Sequence, residues 1–130
     1  MVIMKRILLS CVFLLMLNLY VFGFDKEQLY SIIDSVHTNP QFVLKWSNQM
    51  IQEYPKSSDI FLIKSLYEIE QSNYMAALEK ADKALEYSSK NDVISKSNIY
   101  CLRGYIYRQV KEYKKSLDDF TKAIRLDKKN

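Results

Sequence analysis

Residues 97–130 read SNIYCLRGYIYRQVKEYKKSLDDFTKAIRLDKKN, and this stretch decides the fold. One set of apolar residues in it recurs every three or four positions, as a single face of a helix requires: Ile99, Leu102, Ile106 and Val110. A second set does the same further along: Leu117, Phe120, Ala123 and Ile124. Only Lys111, Glu112 and Tyr113 separate the two sets, which leaves room for a tight turn. The stretch therefore predicts two amphipathic helices packed as a hairpin.

Large and small residues also alternate along this stretch in a fixed order: Tyr100, Gly104, Tyr107, Tyr113, Ser116, Phe120 and Ala123. Glycine inside a helix costs about 1 kcal/mol relative to alanine, so Gly104 indicates a close approach of the facing helix. Ser116 and Ala123 are the small residues expected to receive Tyr107 or Tyr100 across the pair. This pattern resembles the tetratricopeptide repeat of about 34 residues. The resemblance implies an all-α fold of antiparallel helix–turn–helix repeats, stacked as a short right-handed α-solenoid.

Two further units precede this one. Residues 58–91 repeat the frame through Phe61, Tyr74, Ala77, Leu78, Ala81, Ala84 and Leu85. Ser65 stands there in place of the glycine, and residues 92–96 form an extension that must lengthen a helix or the turn. Residues 24–57 form a degenerate unit, with helices expected near Asp25–His37 and Gln41–Tyr54. The tetratricopeptide-like domain is thus expected to cover residues 24–130.

The N-terminus has a different composition. Lys5 and Arg6 precede an apolar run from Ile7 to Phe24, which is typical of a secretory signal. Residues 1–23 are therefore expected to be a signal peptide cleaved after Gly23, or else an uncleaved membrane anchor formed by residues 7–24. Both alternatives export the repeats to the periplasm, the cell envelope or the medium, and a membrane is contacted only if the segment stays uncleaved.

After cleavage Cys101 would be the remaining cysteine, with a buried hydrophobic role or, alternatively, an intermolecular disulfide.

Charge and chemistry both favour a binding protein over an enzyme. The chain carries 19 basic and 15 acidic residues, but residues 97–130 alone have a net charge of +5. This asymmetry is compatible with a solvated face or with an acidic partner, and export disfavours nucleic acid. With two glycines in the chain, no glycine-rich phosphate loop can form. His37 has no ligand neighbours at usable spacing and is expected to pack or cap a helix end. We predict no catalytic residue, no metal and no cofactor.

The family resemblance also implies a place for partners to bind. In tetratricopeptide proteins the first helices of the repeats line a concave groove, which here would comprise Leu62, Leu66, Ile69, Asn98, Tyr105, Arg108 and Gln109. That groove is either open to a partner helix or covered by the helix Asp25–His37. The helix Tyr113–Leu126 also has an apolar side with no capping helix after it, which suggests self-association, a partner at that end, or a shortened repeat protein. The predicted function is an exported adaptor or scaffold, and the alternative is a membrane-anchored structural subunit or homo-oligomeric scaffold of an envelope complex.

Overall fold

The structure of the chain is a computed structural model that describes residues 2–6, 25–90 and 92–128. Residues 2–6 are helical, and six longer helices follow: α1 Lys26–Thr38, α2 Pro40–Glu53, α3 Ser58–Glu70, α4 Tyr74–Tyr87, α5 Lys96–Gln109 and α6 Tyr113–Asp127. Each of these six packs against the next along the chain, and α1 also packs against α3. The described residues contain no strand. The all-α, tetratricopeptide-like stack of helical hairpins predicted from the sequence is confirmed.

The predicted signal or anchor falls almost entirely on residues 7–24, which lie outside the described residues. Among the residues that the structure describes, no helix is both long enough and apolar enough to span a bilayer.

The starts of four helices follow directly from the sequence. Asp25, Asn39, Ser57 and Ser95 each precede a helix and accept a hydrogen bond from the backbone N–H three residues ahead. Such side chains stabilise a helix start because they satisfy an N–H that has no partner within the helix. Asn39 also ends α1, and Pro40 opens α2 as its first residue, where its fixed φ fits the helix and its missing N–H costs nothing.

The turns within the second and third hairpins are copies of each other. Ser72 and Lys111 both have positive φ angles, of 59° and 65°, and they occupy equivalent positions 39 residues apart. In each turn the N–H after this residue bonds to a carbonyl five residues earlier, at 2.8 Å from Asn73 to Glu68 and 2.9 Å from Glu112 to Tyr107. Neither α4 nor α6 has a side-chain cap. The backbone turn alone therefore sets the start of both helices.

In the last two hairpins, the two helices are joined at their crossing by a serine hydroxyl. In α3, Ser65 Oγ donates to the Ala77 carbonyl at 2.8 Å. In the last hairpin the serine is on the opposite helix, and Ser116 Oγ donates to the Gly104 carbonyl at 2.7 Å. Ser65 and Gly104 occupy equivalent positions, as do Ala77 and Ser116. The second hairpin thus has serine in place of glycine on its first helix and alanine in place of serine on its second, and the bond across the crossing is kept.

A second serine joins each of these two hairpins at its open end. Ser58 Oγ donates to the Ala84 carbonyl at 2.7 Å, and Ser97 Oγ donates to the Ala123 carbonyl at 2.9 Å. All four hydroxyls that bridge the last two hairpins are buried, where a hydrogen bond avoids the cost of desolvating an unpaired group.

Gly104 is placed where a side chain would collide with the facing helix. A Cβ on this residue would lie 3.1 Å from the Phe120 ring. The expectation of a close approach at Gly104 therefore holds, but the residue that fills the space is Phe120. The Tyr100 and Tyr107 rings lie beside the Arg103 guanidinium, and their expected packing against Ser116 and Ala123 stays a prediction.

The residues expected at repeat-packing positions fall into three groups by exposure. The small ones are buried between helices: Ala77, Ala81, Ala84, Gly104, Ser116 and Ala123. Most large ones are half-buried: Phe61, Tyr74, Tyr100, Tyr107 and Phe120. Tyr113 differs, because 64 % of it is exposed at the start of α6.

Cys101 lies on the exposed side of α5, so the prediction that it is a small buried hydrophobic residue is wrong. The apolar stripe of α5 runs through Ile99 and Ile106, which are fully buried. Cys101 lies two residues from Ile99, about 200° around the helix, and therefore faces away from that stripe.

The extension between the last two hairpins lies in a loop and is held by one carboxylate. Helix α4 ends at Tyr87 and α5 begins at Lys96. Asp59, at the start of α3, accepts hydrogen bonds from the backbone N–H groups of Ile94 at 3.0 Å and Val93 at 3.3 Å. Burial raises the pKa of Asp59, and the two N–H groups lower it in part. The bonds turn the loop inward, so that Ile94 joins the core.

We expect Asp59→Ala to lower the free energy of unfolding by about 1–3 kcal/mol, because it leaves the N–H groups of Ile94 and Val93 without acceptors. Urea unfolding followed by circular dichroism measures the change. Glu53→Ala, at an exposed site on α2, is the control and should stay within about 0.5 kcal/mol of wild type. Equal losses in the two variants would contradict the role assigned to Asp59.

Candidate interaction cleft

An open cleft lies between the first helices of the three hairpins. Its volume is about 360 Å³, and α1, α3 and α5 line it through Ile33, Asp34, Val36, His37, Leu66, Ile69, Glu70, Leu102 and Tyr105. Residues on each wall are three or four positions apart, so they lie on one helix face. Because three separate helices contribute, the cleft is formed only when the hairpins are stacked.

The floor of the cleft is apolar and its rim carries carboxylates. Asp34 and Glu70 are both exposed. Glu70 Oε2 lies 2.7 Å from His37 Nδ1, a contact that ties the end of α1 to the end of α3, with the histidine side chain 77 % exposed. At neutral pH the rim therefore favours cationic groups over anionic ones.

The structure brings together part of the predicted groove. Leu66, Ile69 and Tyr105 line the cleft. Leu62 does not, because it is 5 % exposed and packs in the core with residues of α1. The two alternatives for α1 are thus both partly realised: the helix covers Leu62 and leaves Leu66 and Ile69 open.

Three other predicted groove residues are exposed but lie away from the cleft. Asn98 is about two turns before Tyr105 on α5, and Arg108 and Gln109 are about one turn after it. A helix rises about 5.4 Å per turn, so these side chains share the face of Tyr105 without reaching the cleft. A ligand would have to extend along α5 to contact them.

Sequence reasoning missed six of the lining residues: Ile33, Asp34, Val36, His37, Glu70 and Leu102. Some carried a signal. Ile33 and His37 are four residues apart on the helix expected there, and Glu70 is four residues from Leu66, so both pairs share a face. The sequence did not show that α1 forms a wall of the cleft, because the first unit matches the repeat pattern only weakly.

A buried ion pair fixes the geometry of the last two hairpins. The Arg103 guanidinium donates to both Asp119 oxygens, at 2.7 and 2.9 Å, and to Asp82 of α4 at 2.8 Å. Asp119 is 2 % exposed, and its hydrogen bonds raise the pKa of Arg103. A bidentate pair restricts relative rotation of the two helices. Asp119 had a sequence signal, since it lies three residues after Ser116 and four before Ala123, on the face that packs against α5.

The equivalent place in the preceding hairpin carries two lysines. Lys64 and Lys80 stand 39 residues before Arg103 and Asp119. Burial and the charge of Lys80 lower the pKa of Lys64. Lys64 Nζ donates instead to Asn48 Oδ1 of α2. This bond joins α3 to the second helix of the preceding hairpin, as the bond from Arg103 to Asp82 joins α5 to α4. The bond to the preceding hairpin is thus present at both Lys64 and Arg103. Within the hairpin, the attraction between Arg103 and Asp119 is replaced by repulsion between Lys64 and Lys80.

Comparison with known proteins gives one match. Residues 97–130 match the family model of the tetratricopeptide repeat, and they cover α5 from its second residue onward and all of α6. No curated protein and no solved structure matches the chain significantly. The family match supports a tetratricopeptide-repeat protein, and repeats of this kind serve in general as protein–protein interaction modules and are typically non-catalytic. Among the described residues, no group of three or more histidine, cysteine, aspartate or glutamate side chains could hold a metal ion.

We expect Lys80→Asp to raise the free energy of unfolding by about 0.5–1 kcal/mol, because it replaces repulsion at Lys64 with an ion pair. Thermal and urea unfolding measure the gain. Lys80→Ala separates the removal of repulsion from the new attraction and should give the smaller gain. Lys90→Asp makes the same charge change in an exposed loop and should leave stability within about 0.5 kcal/mol. A loss of stability in Lys80→Asp would contradict the repulsion.

The same variant should change the dependence of stability on pH. Since the pKa of Lys64 is lower in the folded state than in the unfolded state, the unfolded chain binds more protons, and this residue makes stability rise as the pH increases toward about 10. An aspartate at position 80 raises the pKa of Lys64 and should reduce that slope. Urea unfolding of both proteins between pH 7 and 10 tests this, and an unchanged slope would contradict it.

Proposed function

We propose that this chain is an exported protein–protein interaction module, acting as an adaptor or scaffold, and that its cleft takes an apolar segment of a partner polypeptide that also carries a basic residue. The observation that carries this proposal is the cleft between α1, α3 and α5, with an apolar floor of Leu66, Ile69 and Leu102 and an acidic rim. Such a surface suits the helix-in-groove mode of recognition, in which apolar anchors enter the groove and charge sets selectivity.

The dimensions of the cleft suit side chains of a polypeptide. About 360 Å³ lies at the lower end of the range for sites that enclose small molecules, roughly 300–1,000 Å³. The cleft is open along α5, where Tyr105 is 40 % exposed, so a bound segment can continue past it over Arg108 and Gln109. We propose that one or two apolar anchors fill the cleft and that the rest of the segment follows α5.

Export is proposed from the N-terminal sequence. Lys5 and Arg6 followed by the apolar run 7–24 have the order of a secretory signal, and basic residues before such a run hold the N-terminus on the cytoplasmic side. We propose cleavage after Gly23. The alternative, a structural subunit anchored by residues 7–24, has the same orientation and differs only in keeping the segment.

We expect a photo-crosslinking amino acid at position 105, placed in the protein in its source cell, to form a discrete adduct with a partner polypeptide, because Tyr105 borders the cleft. Gel shift and mass spectrometry identify the adduct. The same amino acid at position 90, an exposed residue that does not line the cleft, is the control and should give no such band.

Leu66→Asp provides the second test of the cleft. A carboxylate on the apolar floor should abolish the adduct at position 105 while the circular dichroism spectrum stays helical, because Leu66 is only half-buried and its cleft side faces the ligand. An adduct that persists unchanged in Leu66→Asp, or that forms equally at position 90, would show that the cleft does not bind the partner.

For the N-terminus, we expect intact mass spectrometry of the natively expressed protein to show a chain that begins at Phe24 in the exported fraction. A chain with Met1 or its following residues retained in the membrane fraction would instead establish the anchored alternative. Retention of the whole chain in the cytosol would refute export in both forms.

A further inference from the structure

The crossing of α3 and α4 carries two cations at the place where the last hairpin carries an ion pair. Arg103 donates to both oxygens of Asp119, and the residues 39 positions earlier are Lys64 and Lys80. Both lysine side chains are partly buried, and that of Lys80 is 25 % exposed. Burial and the charge of Lys80 lower the pKa of Lys64, because two cations lose hydration beside each other.

The third member of the cluster comes from the preceding hairpin and differs in the same direction. At Arg103 it is the carboxylate of Asp82, and at Lys64 it is the side-chain amide of Asn48. The amide oxygen of Asn48 accepts from Lys64, and its NH2 group carries two N–H donors. One cation with two carboxylates in the last hairpin thus becomes two cations with one amide in the hairpin before it.

Two glutamates of the chain offset part of this charge. Glu79 Oε1 lies 3.3 Å from Lys80 Nζ, and the Glu79 side chain is 68 % exposed, so the pair contributes little. Glu68 attracts Lys64 from one turn along α3, and one of its oxygens accepts from Asn73. Each glutamate is on the same helix as the lysine it attracts, so neither takes the position across the crossing that Asp119 has in the last hairpin.

We propose that Lys64, Lys80 and Asn48 form a binding site for a phosphate group, at the place that the Asp119 carboxylate has in the last hairpin. A phosphate monoester carries about −1.5 to −2 charges at pH 7, which matches two ammonium groups, and lysine binds phosphate as a point charge. The Asn48 amide supplies N–H donors for a further phosphate oxygen. A carboxylate has a single charge and neutralises only one of the two lysines.

The position of the cluster determines what a bound phosphate does. The site opens at the surface, because Asn48 is exposed and Lys80 is partly exposed. It therefore admits either inorganic phosphate or a phosphate monoester carried by a larger molecule. A phosphate bound there joins α2, α3 and α4, as Arg103 joins α4, α5 and α6.

The phosphate site is separate from the proposed cleft. Lys64 lies two residues before Leu66, about 200° around α3, so it faces away from the cleft. The two proposals can fail separately, since the adduct at position 105 reports the cleft and phosphate binding reports the cluster.

Titration of the full chain with sodium phosphate, in a mild non-ionic detergent and at an ionic strength held constant with sodium chloride, tests the site. We expect saturable shifts of the amide NMR signals of Asn48, Lys64 and Lys80. Urea unfolding in the same buffers gives an independent measure, because phosphate at ten times its dissociation constant raises the ratio of folded to unfolded protein about elevenfold. No saturable shift in the wild-type protein would overturn the proposal.

Two variants and a control locate the binding. Lys80→Asp replaces repulsion with an ion pair, so it folds, and it puts a carboxylate of the chain where phosphate is proposed to bind. Asn48→Asp keeps both lysines and adds a charge that repels phosphate. Each should weaken phosphate binding at least about tenfold. Lys90→Asp makes the same charge change as Lys80→Asp at an exposed residue and should bind within about twofold of wild type. Equal binding by all four proteins would show general screening of surface charge and would refute the site.

The choice of anion tests the ligand class in the same assay. Acetate should bind at least about fivefold more weakly than phosphate, because it carries half the charge or little more. Acetate that binds as tightly as phosphate would contradict the assignment of a phosphate group. Methyl phosphate distinguishes the two sources: binding equal to that of inorganic phosphate supports a site for a phosphate on a larger molecule, and binding of the inorganic ion alone supports a site for the free ion.

Discussion

The fold depends on how closely the two helices of a hairpin approach each other. At the crossing of α5 and α6, Gly104 leaves space that the Phe120 ring fills to 3.1 Å from where a Cβ would be, and the Ser116 hydroxyl bonds to the Gly104 carbonyl. In the hairpin α3–α4 the same approach is obtained with Ser65 and Ala77 exchanged in role. Small residues allow the contact at these two crossings, and a buried hydroxyl stabilises it.

Charged side chains act both within and between the last two hairpins. Arg103 joins α4, α5 and α6 through Asp82 and Asp119, whereas Lys64 faces Lys80 at the equivalent place. The family match covers the hairpin that has the complete small-residue and ion-pair pattern. The second hairpin keeps the turn and the helix crossing of the last one, with different side chains at equivalent positions. In the first hairpin, α1 forms one wall of the cleft.

The cleft and the exposed apolar residues of α6, which are Tyr113, Leu117 and Ile124, lie on different helices. The cleft has carboxylates on its rim, and it lies on the first helices of the hairpins. The exposed stripe of α6 is bordered by charges of both signs.

The sequence by itself determined the helices. The spacing of Ile99, Leu102 and Ile106, the caps at Asp25, Asn39 and Ser95, and the break at Pro40 specify local structure, because helix starts and faces depend on residues within a few positions. It also indicated Gly104 as a crossing point and Leu66, Ile69 and Tyr105 as groove residues. The tertiary structure alone decided that Leu62 is covered, that Cys101 is exposed, and that Asp59 holds a loop 34 residues away. Which face of an amphipathic helix meets which neighbour depends on distant residues, and periodicity within one helix does not record that choice.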